Sequence, residues 1–343
     1  MLKLELSRIG ELFSAIDSRM ELYLPLFKKG RVDFGRWSQG EKPKLDVLKT
    51  VKSAKDLFFP QSEDIAEFQV QQKNISITQA ERFDKPFMVF GVRECDAKAF
   101  DILDSVFLSD PVDTFYKARR DNGLVVTLAC AEPEETCFCT VFGLDAAQPG
   151  GDVACWITGG FLYWQPNTLK GEKLTEEISQ LFETADETEL NETKEAIRAI
   201  LKRLPLSGLD VSTMNEEALK DVFDSPKWQD LSKACIGCGT CTFVCPTCQC
   251  YDIRDYDTGN GIKRYRCWDS CMYSDFTMMA HGNPRKTQLE RFRQRFMHKL
   301  VYYPENHDGN YMCVGCGRCV SRCPVSMNIV KVIKALGAND DGK

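Results

Sequence analysis

The stretch Cys235–Pro246, CIGCGTCTFVCP, is repeated in pattern at Cys313–Pro324, CVGCGRCVSRCP. Each copy has the spacing C-x2-C-x2-C-x3-C-P, by which cysteine thiolates hold a [4Fe–4S] cluster. Three closely spaced cysteines fit on one tight loop, and the proline after the fourth cysteine leads the chain away from that loop. The two copies therefore predict two [4Fe–4S] clusters, and they determine the fold of the C-terminal part of the chain.

The ligands of the two clusters follow from a rule for two-cluster ferredoxins, in which the fourth cysteine of each motif binds the other cluster. The rule assigns Cys235, Cys238, Cys241 and Cys323 to one cluster, and Cys313, Cys316, Cys319 and Cys245 to the other. Glycines between these cysteines let the backbone turn around the inorganic sulfides, and we expect these cofactor-binding positions to be Gly237, Gly239, Gly315 and Gly317. Zinc knuckles and disulfides are the alternatives, but zinc sites usually pair two well-separated C-x2-C motifs.

The composition restricts the class of protein. The 343 residues are enough for two or three domains, and 17 cysteines are too many for a typical cytosolic chain unless they bind metal. Glu5 and Glu11 interrupt any signal-peptide core, and no apolar run reaches the roughly 20 residues that span a bilayer. The net charge of −6 argues against a nucleic-acid partner. We therefore expect a cytoplasmic protein with no membrane span, in an anaerobic cell because exposed clusters are sensitive to oxidation.

Two apolar segments in the first half, Phe87–Val92 and Leu124–Leu128, are typical of strands buried on both faces of a parallel sheet. Cysteines follow both segments, and ligands gather at the carboxyl ends of such strands. We therefore expect a third iron–sulfur site formed by Cys95, Cys130, Cys137 and Cys139. The alternative is four buried hydrophobic thiols. Cys155 lies alone in a strand-like segment and is expected in the core.

The predicted fold class is α+β. An N-terminal α/β domain, residues 1–224, carries the cysteine-rich site, and an α-rich domain, residues 225–343, contains a bacterial dicluster ferredoxin-like module with a long insertion. Composition and the pair Ser225–Pro226 suggest the boundary. The insertion also gives the second motif more freedom in its approach, so each motif closing on its own cluster is the alternative to the crossed assignment.

The insertion between the two motifs contains four more cysteines, Cys248, Cys250, Cys267 and Cys271. They could form an alternative third site or pack as thiols beside the clusters. The pair Asn283-Pro284 predicts a helix start, with a cap followed by proline. The helix that follows is basic, and this charge can be a solvated face, a docking surface or a cationic wall that offsets the anionic clusters. Its cationic residues are Arg285, Lys286, Arg291, Arg293, Arg295 and Lys299.

Several segments together resemble one known family. These are CTFVCPTCQCYDIRD, RCWDSCM, NPRKTQLERFRQRFMHK and YMCVGCGRCVSRCP, with GVRECDAKAF, LAC at 128–130 and TCFC at 136–139 in the first half. They resemble the 4Fe–4S dicluster electron-transfer subunits of anaerobic oxidoreductases, including the A-type subunit of anaerobic sulfite reductase and the beta subunit of cytoplasmic [NiFe] sulfhydrogenases. The shared pattern includes Cys248, Cys250 and Cys271 but not Cys267. Glu94 stands where proline is frequent in the family.

The resemblance implies a subunit that passes electrons between a catalytic redox subunit on one side and a flavin-containing NAD(P)H/ferredoxin-reductase-type subunit on the other. The catalytic subunit could be a sulfite reductase, a [NiFe] hydrogenase or a heterodisulfide-reductase-like module. The sequence has no G-x-G-x-x-G after a strand, no P-loop and no H-E-x-x-H, so we expect a non-catalytic subunit with no catalytic residues of its own. Two alternatives stay open: an oxidoreductase with its own substrate site at an N-terminal cluster, and a cluster-based redox sensor.

Overall fold

The computed structural model describes residues 1–47, 49–71, 74–215 and 217–337, and its fold class is α+β, as predicted. The described strands are β1 Leu2–Glu5, β2 Glu21–Lys28, β3 Arg31–Arg36, β4 Ser62–Gln71, β5 Asn74–Gln79, β6 Phe87–Val92, β7 Gly123–Leu128, β8 Val153–Thr158, β9 Phe161–Pro166, β10 Glu183–Thr184, β11 Tyr251–Asp257 and β12 Ile262–Trp268. The α-helices are α1 Ile9–Asp17, α2 Lys55–Phe58, α3 Glu94–Phe107, α4 Thr114–Asn122, α5 Leu169–Glu177, α6 Asn191–Lys202, α7 Leu219–Asp224, α8 Lys227–Lys233, α9 Thr240–Phe243, α10 Gln288–Met297, α11 Tyr303–Glu305, α12 Arg318–Ser321 and α13 Ile329–Gly337.

The larger sheet organises the first half of the chain. Its order is β10-β1-β9-β8-β7-β6-β2-β3, and the four strands β8, β7, β6 and β2 are mutually parallel. Every residue of β6 and β7 is buried, which confirms the prediction of strands covered on both faces. Side chains alternate between the faces of a strand, so Met88 and Phe90 pack with α1 whereas Phe87 and Val89 pack with α3. Parallel strands place the segments after β6 and β7 at one edge of the sheet.

The second sheet contains strands from both halves of the chain. Its order is β11-β12-β4-β5, and all its pairings are antiparallel. The hairpin of β11 and β12 belongs to the insertion between the two cysteine motifs, and it was not predicted from the sequence. It pairs with β4 in the register Ile262↔Phe68 to Cys267↔Ser62. The two halves are thus joined by backbone hydrogen bonds, while the boundary between residues 224 and 225 stays a prediction.

Buried ion pairs strengthen this junction. Arg266 of β12 donates hydrogen bonds to Glu63 of β4 and to Asp113, the residue that caps α4. The Arg266 and Glu63 side chains are 4% and 8% exposed. Glu63 also pairs with Arg119 of α4, so a small network of buried and half-buried charges holds the hairpin in position.

The helices of the second half pack on one another beside the cysteine motifs. Trp228 of α8 contacts Phe292 and Phe296 of α10, and α13 adds Val332 and Ile333 to the same core. The predicted helix start at Asn283 is wrong. The helix begins at Gln288, because the Thr287 side chain accepts from the Glu290 N–H and the Glu290 carboxylate accepts from the Thr287 N–H. Among the described residues, no helix has both the length and the apolar character needed to cross a membrane.

Candidate iron–sulfur sites

The second cysteine motif lines a cavity together with a cysteine of the first motif. Cys313, Cys316 and Cys319 lie on its wall with Cys245, which is the set that the crossed rule assigns to one cluster. Burial raises the pKa of Cys316 to about 12, and the nearby thiolate of Cys245 adds to that rise. A thiolate at one of these cysteines therefore makes it harder to ionise the next one. Positively charged iron bound between them would offset this repulsion.

The first motif lies closer to the surface. Cys238 is the one exposed cysteine within the described ranges, and the side chain of Gln288 donates to the sulfur of Cys235 over 3.4 Å. Burial raises the pKa of Cys241 to about 11, and the thiolates of Cys319 and Cys235 contribute. Cys319 and Cys241 are thus neighbours across the two motifs. The thiol of Cys323 donates to the carbonyl oxygen of Met327 over 3.3 Å, just after α12, which contacts α9 of the first motif.

The motif glycines have positive φ, from 60° to 71°, which favours glycine at each of these positions: Gly237, Gly239, Gly315 and Gly317. A Cβ atom at any of the four would approach protein atoms, which at Gly237 and Gly239 are the side chains of Gln288 and Tyr273. A Cβ atom at Gly315 would meet the backbone of Phe138, and one at Gly317 would meet the carbonyl of Thr136. Here the glycines let the second motif pack against the loop of the N-terminal cysteines, a role in addition to the expected clearance for inorganic sulfide.

The four N-terminal cysteines come together at the carboxyl edge of the large sheet. Burial raises the pKa of Cys139 to about 12, with contributions from the thiolates of Cys130 and Cys137. Burial also raises the pKa of Cys95, and Cys316 and Cys139 both contribute. The structure thus brings these four thiols near one another and near the second motif, as the position of the strands led us to expect.

Direct contacts connect this N-terminal loop to the second motif. The N–H of Phe138 donates to the carbonyl oxygen of Gly315 over 2.8 Å. The Lys49 ammonium donates to Thr136 over 3.0 Å and to the carbonyl oxygen of Cys316 over 3.2 Å. These bonds hold the two cysteine loops face to face.

A buried ion pair lies at the same junction. Arg318, inside the second motif, donates to the carboxylate of Asp96, which directly follows Cys95. Both side chains are 2% exposed. Arg318 also donates to the carbonyl oxygen of Thr50 over 3.0 Å. The pair fixes the position of the second motif relative to the N-terminal cysteines.

The basic helix is only partly a solvated face. Arg295 and Lys299 are 2% and 3% exposed, and Lys299 borders the second-motif cavity together with Arg295. Burial opposes the charge of Lys299, but the Cys245 and Cys248 thiolates raise its pKa above the ordinary value. These two residues fit the interpretation of a cationic wall beside the cysteines. Arg293 instead stacks 3.6 Å from the ring of Phe223.

The remaining cysteines have separate environments. Cys155 is fully buried in β8, in the core where it was predicted. Cys267 lies on β12 of the small sheet, opposite Asp252 and Ser62. Cys248, Cys250 and Cys271 line a second cavity, which also contacts Arg295 and Lys299. The sequence grouped these three thiols with Cys267 as an alternative third site, and the hairpin that brings the three together without Cys267 was not predicted.

The donor sets suit iron–sulfur clusters. Thiolate sulfur is a soft ligand preferred by such clusters, and the second-motif cavity has four cysteines on its wall. Across the described ranges, no three side chains of His, Cys, Asp or Glu converge on a point where one metal ion could bind. A cluster of several irons is wider than one ion, so its cysteines surround a cavity instead.

Comparison with known proteins agrees with this chemistry. Residues 234–327 match the model of a family described as a 4Fe-4S dicluster domain. The chain is 33% identical over 338 residues to sulfhydrogenase 2 subunit beta of Pyrococcus furiosus, with 96% of each protein covered. The chain belongs to the family of this beta subunit. No solved structure matches the chain.

Membership in the sulfhydrogenase beta-subunit family confirms the resemblance recognised in the sequence. The family and the dicluster domain also support the general prediction of an iron–sulfur electron-transfer subunit with [4Fe–4S] clusters. Both cysteine motifs lie within the matched residues. The ligand assignments, a third cluster and the identity of the partners go beyond what family membership shows, and they are proposals.

Proposed function

We propose that this chain relays electrons between a catalytic redox subunit on one side and a flavin-containing NAD(P)H/ferredoxin-reductase-type subunit on the other, in a cytoplasmic, anaerobic oxidoreductase complex. The supporting observation is the succession of cysteine sites. The thiol of Cys137 donates to the carbonyl oxygen of Cys316 in the second motif over 3.9 Å, and α12 of the second motif packs against α9 of the first. Clusters in such a succession would give an electron a continuous path across the protein.

The ligands in this proposal are those predicted from the spacing. One cluster is held by Cys235, Cys238, Cys241 and Cys323, and another by Cys313, Cys316, Cys319 and Cys245. A third is held by Cys95, Cys130, Cys137 and Cys139. The relative is named as the beta subunit of a sulfhydrogenase, so a hydrogenase-type catalytic subunit is the first candidate partner. A sulfite reductase or a heterodisulfide-reductase-like subunit is the alternative.

One observation favours the alternative of a substrate site at the N-terminal cluster. A cavity of about 560 Å³ opens beside Cys130, and Ala129 and Ala131 on either side of that cysteine line it. Most of its wall is apolar, but five charged side chains of both signs also line it: Lys42, Lys44, Arg93, Asp46 and Glu132. A small molecule with an apolar body and a polar or charged group would fit this lining.

The two functions are separated by an assay of the purified chain after anaerobic cluster reconstitution. An electron-transfer subunit should exchange single electrons with low-potential dyes, yet show no turnover with NADH, NADPH, sulfite or protons. Nicotinamide-dependent dye reduction should appear when a flavin reductase subunit is added, because a flavin can divide a hydride into single electrons. Nicotinamide turnover by the flavin-free chain alone would overturn the proposal and favour the substrate site.

A further inference from the structure

The insertion forms a cavity that is lined by cysteines which neither of the two motif clusters uses as ligands. Its wall consists of three thiols, one imidazole, two buried cations, an amide and a thioether: Cys248, Cys250, Cys271, His298, Arg295, Lys299, Gln249 and Met312. The four cysteine ligands of each motif-derived cluster are already assigned without these side chains. The cavity therefore needs an explanation of its own.

The hairpin of the insertion brings the three thiols together. Cys250 immediately precedes β11, and Cys271 follows β12 by three residues. The pairing Tyr251↔Trp268 and a 2.9 Å hydrogen bond from the Asp269 N–H to the Cys250 carbonyl close the base of the hairpin. Cys250 and Cys271 both line the cavity at this base of the hairpin. Residues far apart in sequence thus supply neighbouring sulfurs.

The cavity lies directly beside the second-motif site. Cys248 lines this cavity and lies three residues after Cys245, which lines the second-motif cavity. Arg295 and Lys299 border both cavities. A group bound between Cys248, Cys250 and Cys271 would therefore share its cationic surroundings with the cluster of the second motif.

Buried positive charge around these thiols lacks a matching carboxylate. Lys55, Arg295 and Lys299 are each at most 3% exposed, and in the described part of the chain none of the three forms an ion pair with a carboxylate. Lys55 donates to the carbonyl oxygens of Cys245 and Cys248, over 3.0 and 2.8 Å. Isolated cations are costly to bury, so their position marks the place of an anionic group.

The guanidinium group of Arg295 also lacks hydrogen-bond acceptors in the described part of the chain. Its Nη2 donates to the carbonyl oxygen of Cys241 over 3.1 Å, but Nε and Nη1 are buried without a hydrogen-bond partner among the described residues. A buried donor without a partner destabilises the fold, because it has lost its hydrogen bonds to water. Inorganic sulfide and thiolate sulfur are acceptors that could satisfy these N–H groups.

The helix is distorted where it meets the cavity. Residues His298–Tyr302 form a π-helical turn directly after α10, and such turns occur frequently at functional sites. The imidazole of His298 has no hydrogen-bond partner within the described ranges, although it lines the cavity. A neutral imidazole nitrogen is a ligand that iron accepts.

We propose that the thiolates of Cys248, Cys250 and Cys271, with the imidazole of His298, hold a further iron–sulfur cluster. This cluster is additional to the two of the motifs and to the N-terminal one. The three thiols release their protons to solvent when they bind iron, and Arg295, Lys299 and Lys55 offset the negative charge. This inference rests on the proposed function only in that the chain carries iron–sulfur clusters. The further cluster would lie beside the path of electrons through the other clusters.

Iron and acid-labile sulfide analysis of the full chain tests the site. Cys250→Ser and Cys271→Ser should each lose one cluster's content of iron and sulfide relative to the native chain. Cys267→Ser is the matched control, because Cys267 lies on the same hairpin but outside the cavity, and it should keep the full content. Full iron content and an unchanged EPR spectrum in Cys250→Ser and Cys271→Ser would overturn the proposal.

A second measurement does not depend on losing the cluster. In protein labelled with 15N-histidine, pulsed EPR of the reduced chain should detect a nitrogen strongly coupled to a cluster spin. His298→Cys should keep the iron content and abolish that coupling, whereas His281→Cys should leave it intact. Loss of iron in Cys250→Ser without any coupled nitrogen in the native chain would overturn the assignment of His298.

The outcome is independent of the electron-transfer proposal. If the chain relays electrons but lacks this cluster, Cys250→Ser will support dye reduction with the flavin subunit and will retain all its iron. If the cluster exists but the chain has another function, iron will fall in Cys250→Ser while the native chain fails the relay assay.

Discussion

Buried cations beside the cysteines stabilise negative charge on groups bound there and therefore influence their reduction potential. Arg295 and Lys299 are buried between the two cavities, and the thiolates of Cys241 and Cys319 raise the pKa of Arg295 although burial opposes its charge. A cluster becomes more negative when it is reduced. A fixed cation nearby therefore stabilises the reduced form and raises the reduction potential.

Arg295→Met should consequently lower the potential of the cluster closest to it. We expect a shift of roughly 60 mV or more, which is about a tenfold change in a one-electron equilibrium. Potentiometric titration followed by EPR measures it. Arg293→Met is the control, because Arg293 lies on the same helix but stacks on Phe223, and its potentials should match those of the native chain. Equal shifts in both variants would contradict the electrostatic argument.

The crossed ligation of the motifs is a second prediction at the residue scale. Cys245 lines the cavity of Cys313, Cys316 and Cys319, so Cys245→Ser should perturb the same EPR signal as Cys316→Ser. The signal altered by Cys238→Ser should stay largely intact. If Cys245→Ser and Cys238→Ser instead alter one common signal, each motif closes on its own cluster.

At the scale of elements, the hairpin β11–β12 holds the two halves together. It contributes two strands to a sheet with β4 and β5, and Arg266 anchors it to Glu63 and Asp113. The hairpin also carries Cys250 at one end and leads to Cys271 at the other. Its position therefore determines whether these thiols meet.

Arg266→Met should destabilise this arrangement by about 1.5–3 kcal/mol, because Glu63 and Asp113 each lose a charge-assisted hydrogen bond, although Glu63 keeps its ion pair with Arg119. Loss of the visible cluster absorbance should occur at a lower guanidinium concentration than in the native chain. Arg264 lies on the same strand as Arg266 and forms an exposed ion pair with Asp255 of β11. Arg264→Met should change the free energy of unfolding by about 0.5 kcal/mol or less. Equal sensitivity of the two variants would show that the buried pairs do not hold the hairpin.

At the scale of the whole molecule, the cysteine sites form a connected series. The N-terminal site contacts the second motif through Phe138 and Gly315, and the buried pair Arg318–Asp96 crosses the same junction. The large sheet supports one side of this junction and the helices of the second half support the other. An electron path of this kind exists only when both halves are assembled.

The N-terminal cluster gives the corresponding prediction. The reconstituted chain should contain more than roughly eight irons, the content of two [4Fe–4S] clusters. The double variant Cys137→Ser/Cys139→Ser should lose one cluster's iron, whereas Cys155→Ser in the core of β8 should lose none. An iron content that the double variant leaves unchanged would exclude the N-terminal site.

The sequence by itself determined the chemistry that depends on local spacing. Features that depend on short segments could be recognised from the sequence. They are the C-x2-C-x2-C-x3-C-P motifs, the buried strands Phe87–Val92 and Leu124–Leu128, and the family. The helix start at Asn283 was mispredicted, since Asn-Pro and the Thr287–Glu290 pair both resemble a cap and only the folded chain decides between them.

Only the tertiary structure decided which thiols and charges meet. The pairing of β12 with β4 joins residues about 200 positions apart. The pairing of β12 with β11 brings Cys271 back to Cys250. The burial of Arg295 and Lys299 likewise depends on the side of α10 that packs against the cysteines, which a run of basic residues does not reveal. Such long-range contacts leave no local pattern, because the free energy that fixes them comes from burial and pairing across the whole fold.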